Sequence, residues 1–475
     1  MGNDRRYNTF TGAASVTYSD STNYFYAHAN FRTQNTIIYD EWGNITYTPS
    51  QGLDSRYTSG KSGIMNAPAL SAKYEKKLPC NQVLSLEGSF NYGFGNDNND
   101  YAEVGDNPYS YVKNGDISSL SYSLMGTYLL PLKKGNALNL ILNTQGATTK
   151  IDYTGTYPEE QNVSALFVMA GAYYMHRFND KWRLNVGGYG MLNIYNAGIG
   201  NNTEIMPSGM AVLTYNINPK NMLQAYGNVG IISQGGYRND IIQPIDGLMY
   251  NMGNPDIKNG YDISAQLSYT GILGNLSLMP YIQYQSSSNA LPYAWIPGKN
   301  AIYQTQVNSG TFNRAILGVA PKLNLFGNRL SLSGTFLVAH ENKSRLYSRT
   351  LYPYSGSLQA YLYVGNFSFF ASYRTYSKHM TNYGTYDNRS FDDWWLEATY
   401  SNANLSVKAG VRNLFEKKHI HTWVDAPYYT SDDRYTMTDF SQRVYVTLTY
   451  TLDFGRQIKH TGPQSSSGLI NTQMM

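Results

Sequence analysis

The sequence predicts an all-β fold, a large antiparallel up-and-down transmembrane β-barrel with about nineteen visible strands. Three observations predict it: strand-like alternation over nearly the whole chain, connections that sort into short and long by parity, and a composition poor in charge.

The alternation is clearest in "RVYVTLTYTLDFG", residues 443 to 455. Val444, Val446, Leu448, Tyr450, Leu452 and Phe454 fall on one face of an extended strand, and Arg443, Thr447, Thr449, Thr451 and Asp453 on the other. Leu330, Leu332, Phe336 and Val338 stand against Arg329, Ser331, Ser333 and Thr335 in the same way, and Leu405, Val407, Ala409 and Val411 stand against Ser406, Lys408, Gly410 and Arg412. Such runs recur at 9–19, 23–37, 65–75, 83–94, 118–131, 137–152, 164–177, 182–196, 208–217, 222–234, 261–271, 275–286, 311–325, 329–341, 355–364, 367–377, 394–401, 404–412 and 442–454. Many exceed the usual length of a globular strand and suit the roughly 9 to 11 residues that cross a bilayer when tilted.

The connections alternate. "SDST" at 19–22, "KKGN" at 133–136, "NDK" at 179–181, "NPKN" at 218–221, "GN" at 327–328 and 365–366 and "NAN" at 402–404 are tight and carry turn chemistry. Segments 38–62, 95–117, 235–260, 287–310 and 413–441 are long and rich in Tyr, Asn, Asp, Gly and Pro, and are expected as loops at the opposite end. Short turns on one side and long loops on the other are the pattern of an outer-membrane barrel, whereas a soluble sandwich has no reason to sort its loops. The lumen of so many strands is too wide for facing side chains to fill, so the apolar face must look outward to lipid. Trp182 after a tight turn, and Trp394 and Trp395 at a strand start, suit girdles at the two interfaces.

Composition agrees. Only 14% of residues are charged against about 25% in soluble domains, while Tyr occurs 45 times and Gly 43 times. Mean hydropathy is −0.42, and no run of about 18 apolar residues provides a membrane helix. The net charge of +4 is scattered, which excludes a nucleic-acid stripe, and the single Cys80 can form neither an internal disulfide nor a cysteine metal cluster. The opening "MGNDRRYNTFTGAASVTYSD" lacks a leader's apolar core. The first and last strands both run toward the short-turn side, an odd count that leads us to expect upstream strands outside this reading frame start. The expected organisation is a barrel over 1–455 and a C-terminal tail over 456–475.

Two stretches carry a resemblance. "GNPDIKNG" at 253–260, with Gly253, Asn254 and Pro255, and "GVRNLFEKKH" at 410–419, with Asn413, Leu414 and Phe415, are similar to recurrent segments of TonB-dependent receptor barrels, and "YTLDFG" at 450–455 suits the closing strand. The resemblance implies a 22-stranded barrel in the outer membrane of a Gram-negative bacterium, embedded in its lipid and inserted by the barrel-assembly machinery. It also implies a plug, coupling to the TonB machinery, and uptake of a bulky scarce solute such as a metal chelate, a vitamin or a glycan. The sequence shows no plug, coupling box or leader, so TonB contact is expected only if an N-terminal plug supplies it. The other class that fits is a passive porin or surface-adhesion barrel.

Candidate solute contacts are the aromatic residues of the long connections: Tyr101, Tyr109, Tyr111, Tyr293, Trp295, Trp423, Tyr428 and Tyr429, since such rings supply contact area at low entropic cost. His419 and His421 with Asp425 are too few for a metal site, and the acidic "NDNND" at 96–100 and "SDD" at 431–433 lack calcium-loop spacing and read as solvated loop. No nucleophile, metalloprotease or phosphate-loop motif occurs, and nothing pairs His28, His176 or His340 with a serine, so no catalysis, cofactor or metal is expected.

Overall fold

A computed structural model describes residues 4–47, 53–106, 108–196, 201–232, 242–289, 292–299, 301–381, 384–390, 392–413, 418–437 and 442–450. Nineteen strands follow one another around one antiparallel wall: β1 Asp4–Ser19, β2 Asn23–Tyr47, β3 Leu53–Leu78, β4 Gln82–Gly105, β5 Tyr109–Pro131, β6 Ala137–Gly155, β7 Glu159–Arg177, β8 Trp182–Asn196, β9 Asn201–Asn218 and β10 Asn221–Ile232. The wall continues through β11 Gly260–Leu273, β12 Leu276–Ser288, β13 Thr311–Leu325, β14 Leu330–Lys343, β15 Tyr354–Val364, β16 Phe367–Tyr376, β17 Asp393–Ser401, β18 Leu405–Arg412 and β19 Arg443–Tyr450. Each strand is hydrogen-bonded to the next in chain order. All nineteen runs read from the sequence are wall strands. Among the described residues β1 pairs only with β2, and β19 only with β18.

Registers align the apolar positions into a continuous outer surface. Leu267 of β11 stands opposite Ile282 of β12, Ile282 opposite Leu317 of β13, and Leu317 opposite Val338 of β14. All four are more than half exposed, as are Val444, Val446 and Leu448 of β19. Side chains that a water-soluble protein would bury here form a belt, and lipid is the medium that suits it. The belt ends where outward positions turn polar, at His340 and at the facing pair Asn313 and Asn342.

The inner face is polar and braced across strands. Glu397 of β17 accepts the Tyr445 hydroxyl at 2.5 Å and pairs with Lys408 of β18 at 3.3 Å, while Trp395 Nε1 donates to Tyr445 Oη at 2.8 Å. Trp395 therefore faces the lumen, which corrects its assignment to the membrane girdle; consecutive residues of a strand point to opposite faces, and Trp394 takes the outer side with Leu396. Trp182 does lie outside, stacked on Tyr215 with ring centres 4.3 Å apart. Tyrosine and glycine abundance are coupled here: Gly410 and Gly318 lie opposite Tyr445 and Tyr281, and a β-carbon on either glycine would meet the tyrosine ring at 2.4 or 2.3 Å. Only glycine lets the ring lie flat on the neighbouring strand.

The short turns are built by polar side chains. Asp20 Oδ1 accepts the N–H groups of Thr22 and Asn23, each at 2.7 Å, and Asn179 in the β7–β8 turn and Asn402 in the β17–β18 turn repeat the arrangement.

At the other end the structure corrects the sequence reading. Segments 38–62 and 95–117 are mostly strand: β2 pairs with β3 up to Tyr47 and Leu53, and β4 with β5 up to Glu103 and Tyr109. β3 has 26 residues and spans about 85 Å along its axis at about 3.3 Å per residue, far more than the membrane requires. Above the membrane both faces meet water, so apolar alternation fades while the backbone ladder continues. "NDNND" accordingly lies on β4, where Asp97 pairs with Lys61 at 3.6 Å, and "SDD" lies on the strand Tyr429–Met437.

The belt yields a direct test. Leu317→Arg should lower barrel stability by about 2–4 kcal/mol when folded in a bilayer, whereas Val104→Arg, also more than half exposed but on the tall β4–β5 hairpin, should change it by less than about 0.5 kcal/mol; urea unfolding followed by heat-modifiable gel mobility separates the two.

Candidate functional site

The remaining long connections fold into a cap over the mouth. One four-stranded sheet contains Ile242–Pro244, Met249–Met252, Ile302–Gln306 and Tyr293–Pro297; a second contains His379–Thr381, Tyr386–Ser390, Lys418–Ala426 and Tyr429–Met437. A three-residue strand, Arg349–Leu351, extends the wall by pairing with the upper end of β14. The sequence analysis expects 235–260, 287–310 and 413–441 as loops and reads no strand at 349–351, 379–381 or 386–390.

The first cap sheet is held on both faces by aromatic rings. Pairing of Met249 with Ile302, Tyr250 with Tyr303 and Trp295 with Gln304 fixes which residues share a face. On one face Trp295, only 3% exposed, stacks on Tyr429 at 4.8 Å and meets Tyr386 and Tyr347 at 6.4 Å, with Met249, Ile302 and Val424 alongside. Tyr293 adds an edge contact to Tyr386 at 6.1 Å. On the other face Tyr250 meets Tyr303 at 6.0 Å and reaches the phenols of Tyr109 and Tyr157, which are 2.9 Å apart. Those rings belong to the tall wall hairpins, where Tyr101 stacks on Tyr57 at 5.9 Å and on Tyr111 at 5.3 Å. Burial and the Tyr157 contact push the Tyr109 phenol well above the ordinary tyrosine range.

A polar clasp joins the sheet to the same hairpins. Glu103, buried, accepts the Tyr101 hydroxyl at 2.7 Å and the Gly247 N–H at 2.8 Å. Asp246 Oδ1 accepts the N–H groups of Leu248 and Met249 at 2.8 and 2.7 Å; burial, reinforced by Glu103, pushes its carboxyl up, and the two N–H bonds offset part of that.

Of the sequence-predicted aromatic residues, Tyr101, Tyr109 and Tyr111 thus come together on one side of the sheet, and Tyr293, Trp295 and Tyr429 on the other. Trp423 lies apart in the second sheet, between the Lys378 ammonium, 4.3 Å from its ring centre, and the His421 ring at 3.6 Å. Tyr428 stands 56% exposed at the tip of the hairpin formed by Lys418–Ala426 and Tyr429–Met437. His421 contacts Asp432, and no group of three metal-binding side chains occurs among the described residues. Tyr157, Tyr250, Tyr303, Tyr347 and Tyr386 complete the clusters and were not singled out individually from the sequence; their density in the long connections was the available signal.

The first motif stretch cements the cap's base, and the second finishes a wall strand. Asn254 Nδ2 donates to Gln306 O at 2.8 Å, its Oδ1 accepts the Asp256 N–H at 3.0 Å, and Lys258 and Asn308 exchange two hydrogen bonds of 2.6 and 2.7 Å. The turn that follows Gly253, Asn254 and Pro255 drives Ile257 into a fully buried contact with Ile232 at the top of β10. Asn413, buried and at φ 48°, ends β18: it accepts the Trp394 N–H at 2.7 Å and donates to Asp393 at 2.7 Å, where Arg412 also docks at 2.6 and 2.9 Å. Leu414, Phe415 and residues 451–475, including the expected tail, lie outside the described residues.

A model of the outer membrane protein beta-barrel family matches residues 193–450, more than half of the chain. The chain belongs to this family. An outer-membrane barrel protein resides in a Gram-negative outer membrane as a multi-pass β-barrel, as the lipid-facing belt requires. Comparison with curated protein sequences gives no match. Among solved structures the barrel is similar to the copper transporter OprC, with 11% identity and a TM-score of 0.64 over 94% of this chain and 80% of that one. It is similar to the pyoverdine outer membrane receptor FpvA from Pseudomonas aeruginosa PAO1, with 10% identity and a TM-score of 0.62 over 94% and 77% of the two chains. FpvAI in its complex with pyocin S2 matches at 10% identity, with a TM-score of 0.57 over 91% and 70%. These likenesses are of fold, the barrel of TonB-dependent receptor-like proteins, and the matched proteins are transporters and receptors rather than enzymes.

Removing the cap's anchors should loosen it without opening the wall. Ile257→Ala should destabilise the cap by about 2–4 kcal/mol, read as faster hydrogen exchange in 242–257 and 293–306 with exchange in the outer rung at Leu267 and Ile282 unchanged.

Proposed function

We propose that this outer-membrane barrel is the translocating part of an energy-coupled receptor that takes up a bulky, scarce solute such as a metal chelate, a vitamin or a glycan. The observation that carries the reading is the ordered cap: two small sheets, cemented by aromatic rings and buried ion pairs, cover the mouth of a polar lumen. A passive pore has no use for an ordered surface of this kind at its mouth, whereas a receptor needs a shaped surface that holds its solute before the lumen admits it. The fold shared with a copper transporter and a pyoverdine receptor supports the same class.

In this reading solute contact falls to the aromatic residues with free area, Tyr109, Trp423 and Tyr428, while Tyr101, Tyr293, Trp295 and Tyr429 hold the surface in shape. Energy comes from the TonB machinery through a plug and coupling segment in the same polypeptide, and the barrel-assembly machinery inserts the barrel. We place the barrel at 1–455 and a tail at 456–475. β1 and β19 run in the same direction, so an antiparallel seam between them takes an odd number of further strands; three would give the 22 that the resemblance implies. A surface-adhesion or passive-porin role is the competing reading.

Conductance of the full-length gene product in a planar bilayer distinguishes them: a receptor should show no steady ion current, and large stable steps would mean a porin. Once ferric chelates, cobalamin and oligosaccharides have been screened for binding, Trp423→Ala and Tyr428→Ala should each weaken the bound solute by about 1–3 kcal/mol, about 5- to 150-fold, and a protonophore should abolish its uptake.

A further inference from the structure

Lys343, the last residue of β14, is 0% exposed, and among the described residues its ammonium has no hydrogen-bond partner. It lies above the belt, beyond the polar outward positions His340 and Asn342, so it meets the cap and not lipid. Phe312 of β13 and Arg349 are its cross-strand neighbours, and the Tyr347 ring centre is 5.4 Å from Nζ. What covers it is the hairpin of His379–Thr381 and Tyr386–Ser390: a β-carbon on Gly384 would lie 2.7 Å from Lys343 Cδ, so the hairpin backbone rests directly on the lysine stem.

The charges around it are unequally matched. Arg314 reaches the buried Glu341 at 3.0 Å, and Glu341 also accepts the Met380 N–H at 2.7 Å. Arg349 and Lys378 both pair with Asp387, at 2.7 and 3.2 Å, and Arg349 donates to Gly384 O at 2.8 Å. Four cations thus face two carboxylates, and both carboxylates are engaged by others. His379 on the hairpin lies with its Nδ1 3.3 Å from Ser377 O. The hairpin is also where the cap sheets meet, because Thr385 accepts the Tyr293 N–H at 3.0 Å and Tyr386 touches Trp295.

We propose that this hairpin is a latch whose release is coupled to protonation of Lys343: closed, it covers a neutral amine; lifted, it lets the amine take one proton from water. The cap's joint is thereby a pH-dependent element, whatever solute the barrel carries. A buried charge without a counter-ion is costly, while a neutral amine can remain under the hairpin. Burial, with Arg349 adding repulsion, pushes the Lys343 ammonium down from the ordinary value of 10.5 to about 7. The closed state thus binds fewer protons than the open one between these two values. Raising the pH through that window stabilises closure; below about 7 both states hold the proton and the dependence flattens. Burial pushes the Tyr347 phenol up, away from the pH range 7–9 of the measurement, and arginine keeps its proton throughout.

The experiment is hydrogen exchange of the folded chain in detergent micelles at pH 7, 8 and 9, corrected for intrinsic rates. Opening of peptides spanning 377–390 should fall about 50-fold from pH 7 to 9, while peptides from β12 show no such slope. Lys343→Met should flatten the dependence to within about twofold, Lys343→Gln should do the same should the methionine variant not fold, and Lys378→Met should retain the wild-type slope. A flat wild-type profile, or a wild-type slope surviving in the folded Lys343 variant, overturns the proposal.

Discussion

A chain in the hydrocarbon of a bilayer has no water to satisfy its backbone N–H and C=O groups, and each one left open costs several kcal/mol. The wall satisfies this constraint by pairing every strand with the next in sequence, and the rest of the molecule follows from it. Sequential antiparallel pairing makes all turns of one parity fall at one end. It also sets outward and inward faces two residues apart, so that Leu267, Ile282, Leu317 and Val338 meet in one lipid-facing rung while Tyr281, Trp395, Glu397, Lys408 and Tyr445 face inward.

That constraint also explains which features were legible in the sequence. Within the membrane the two faces meet different media, so the period of two is written into side-chain polarity, and all nineteen wall strands could be read, from Asp4–Ser19 to Arg443–Tyr450. Above the membrane both faces meet water. β3 continues for 26 residues with "TSGKSG" in its middle, and nothing in that polarity distinguishes strand from loop. Trp394 and Trp395 illustrate a subtler failure: composition placed both in a girdle, yet adjacency alone forces one of them inward. The aromatic residues of the long connections were visible as a class, but the grouping of Trp295 with Tyr429, and the docking of the cap on Glu103 through Gly247, join segments more than 100 residues apart. Lys343 was illegible, since its burial comes from Gly384 and Tyr347 in separate connections.

The cap differs in kind from the wall. Its two sheets are short, and strands of three to nine residues are not stable alone. They persist because aromatic rings and buried polar bonds tie them to hairpins that the wall already holds in place: Tyr109 and Glu103 on one side, Ile257 and Asn254 below, Thr385 and Tyr386 on the other. Stability accordingly grades from wall to cap, and elements that must move during function are drawn from the less stable end. The motif residues Asn254 and Asn413 sit at this boundary. Each ends a segment by satisfying backbone groups of its neighbour, which is work a strand interior does not need.

The same backbone constraint applies to the two edges of the wall. β1 and β19 both descend toward the short turns, so direct pairing would make one parallel seam in an otherwise antiparallel wall, and an antiparallel seam takes an odd number of additional strands between them. Exposed Phe10, Val16 and Tyr18 on β1, and Val444, Val446 and Leu448 on β19, show that the belt runs up to both edges. Whatever pairs with those edges must therefore carry the same alternation, apolar outward and polar inward, at the same height. An edge left open in lipid would expose a row of unpaired N–H and C=O groups along the eight residues of β19 alone, a cost larger than the whole stability of an ordinary domain.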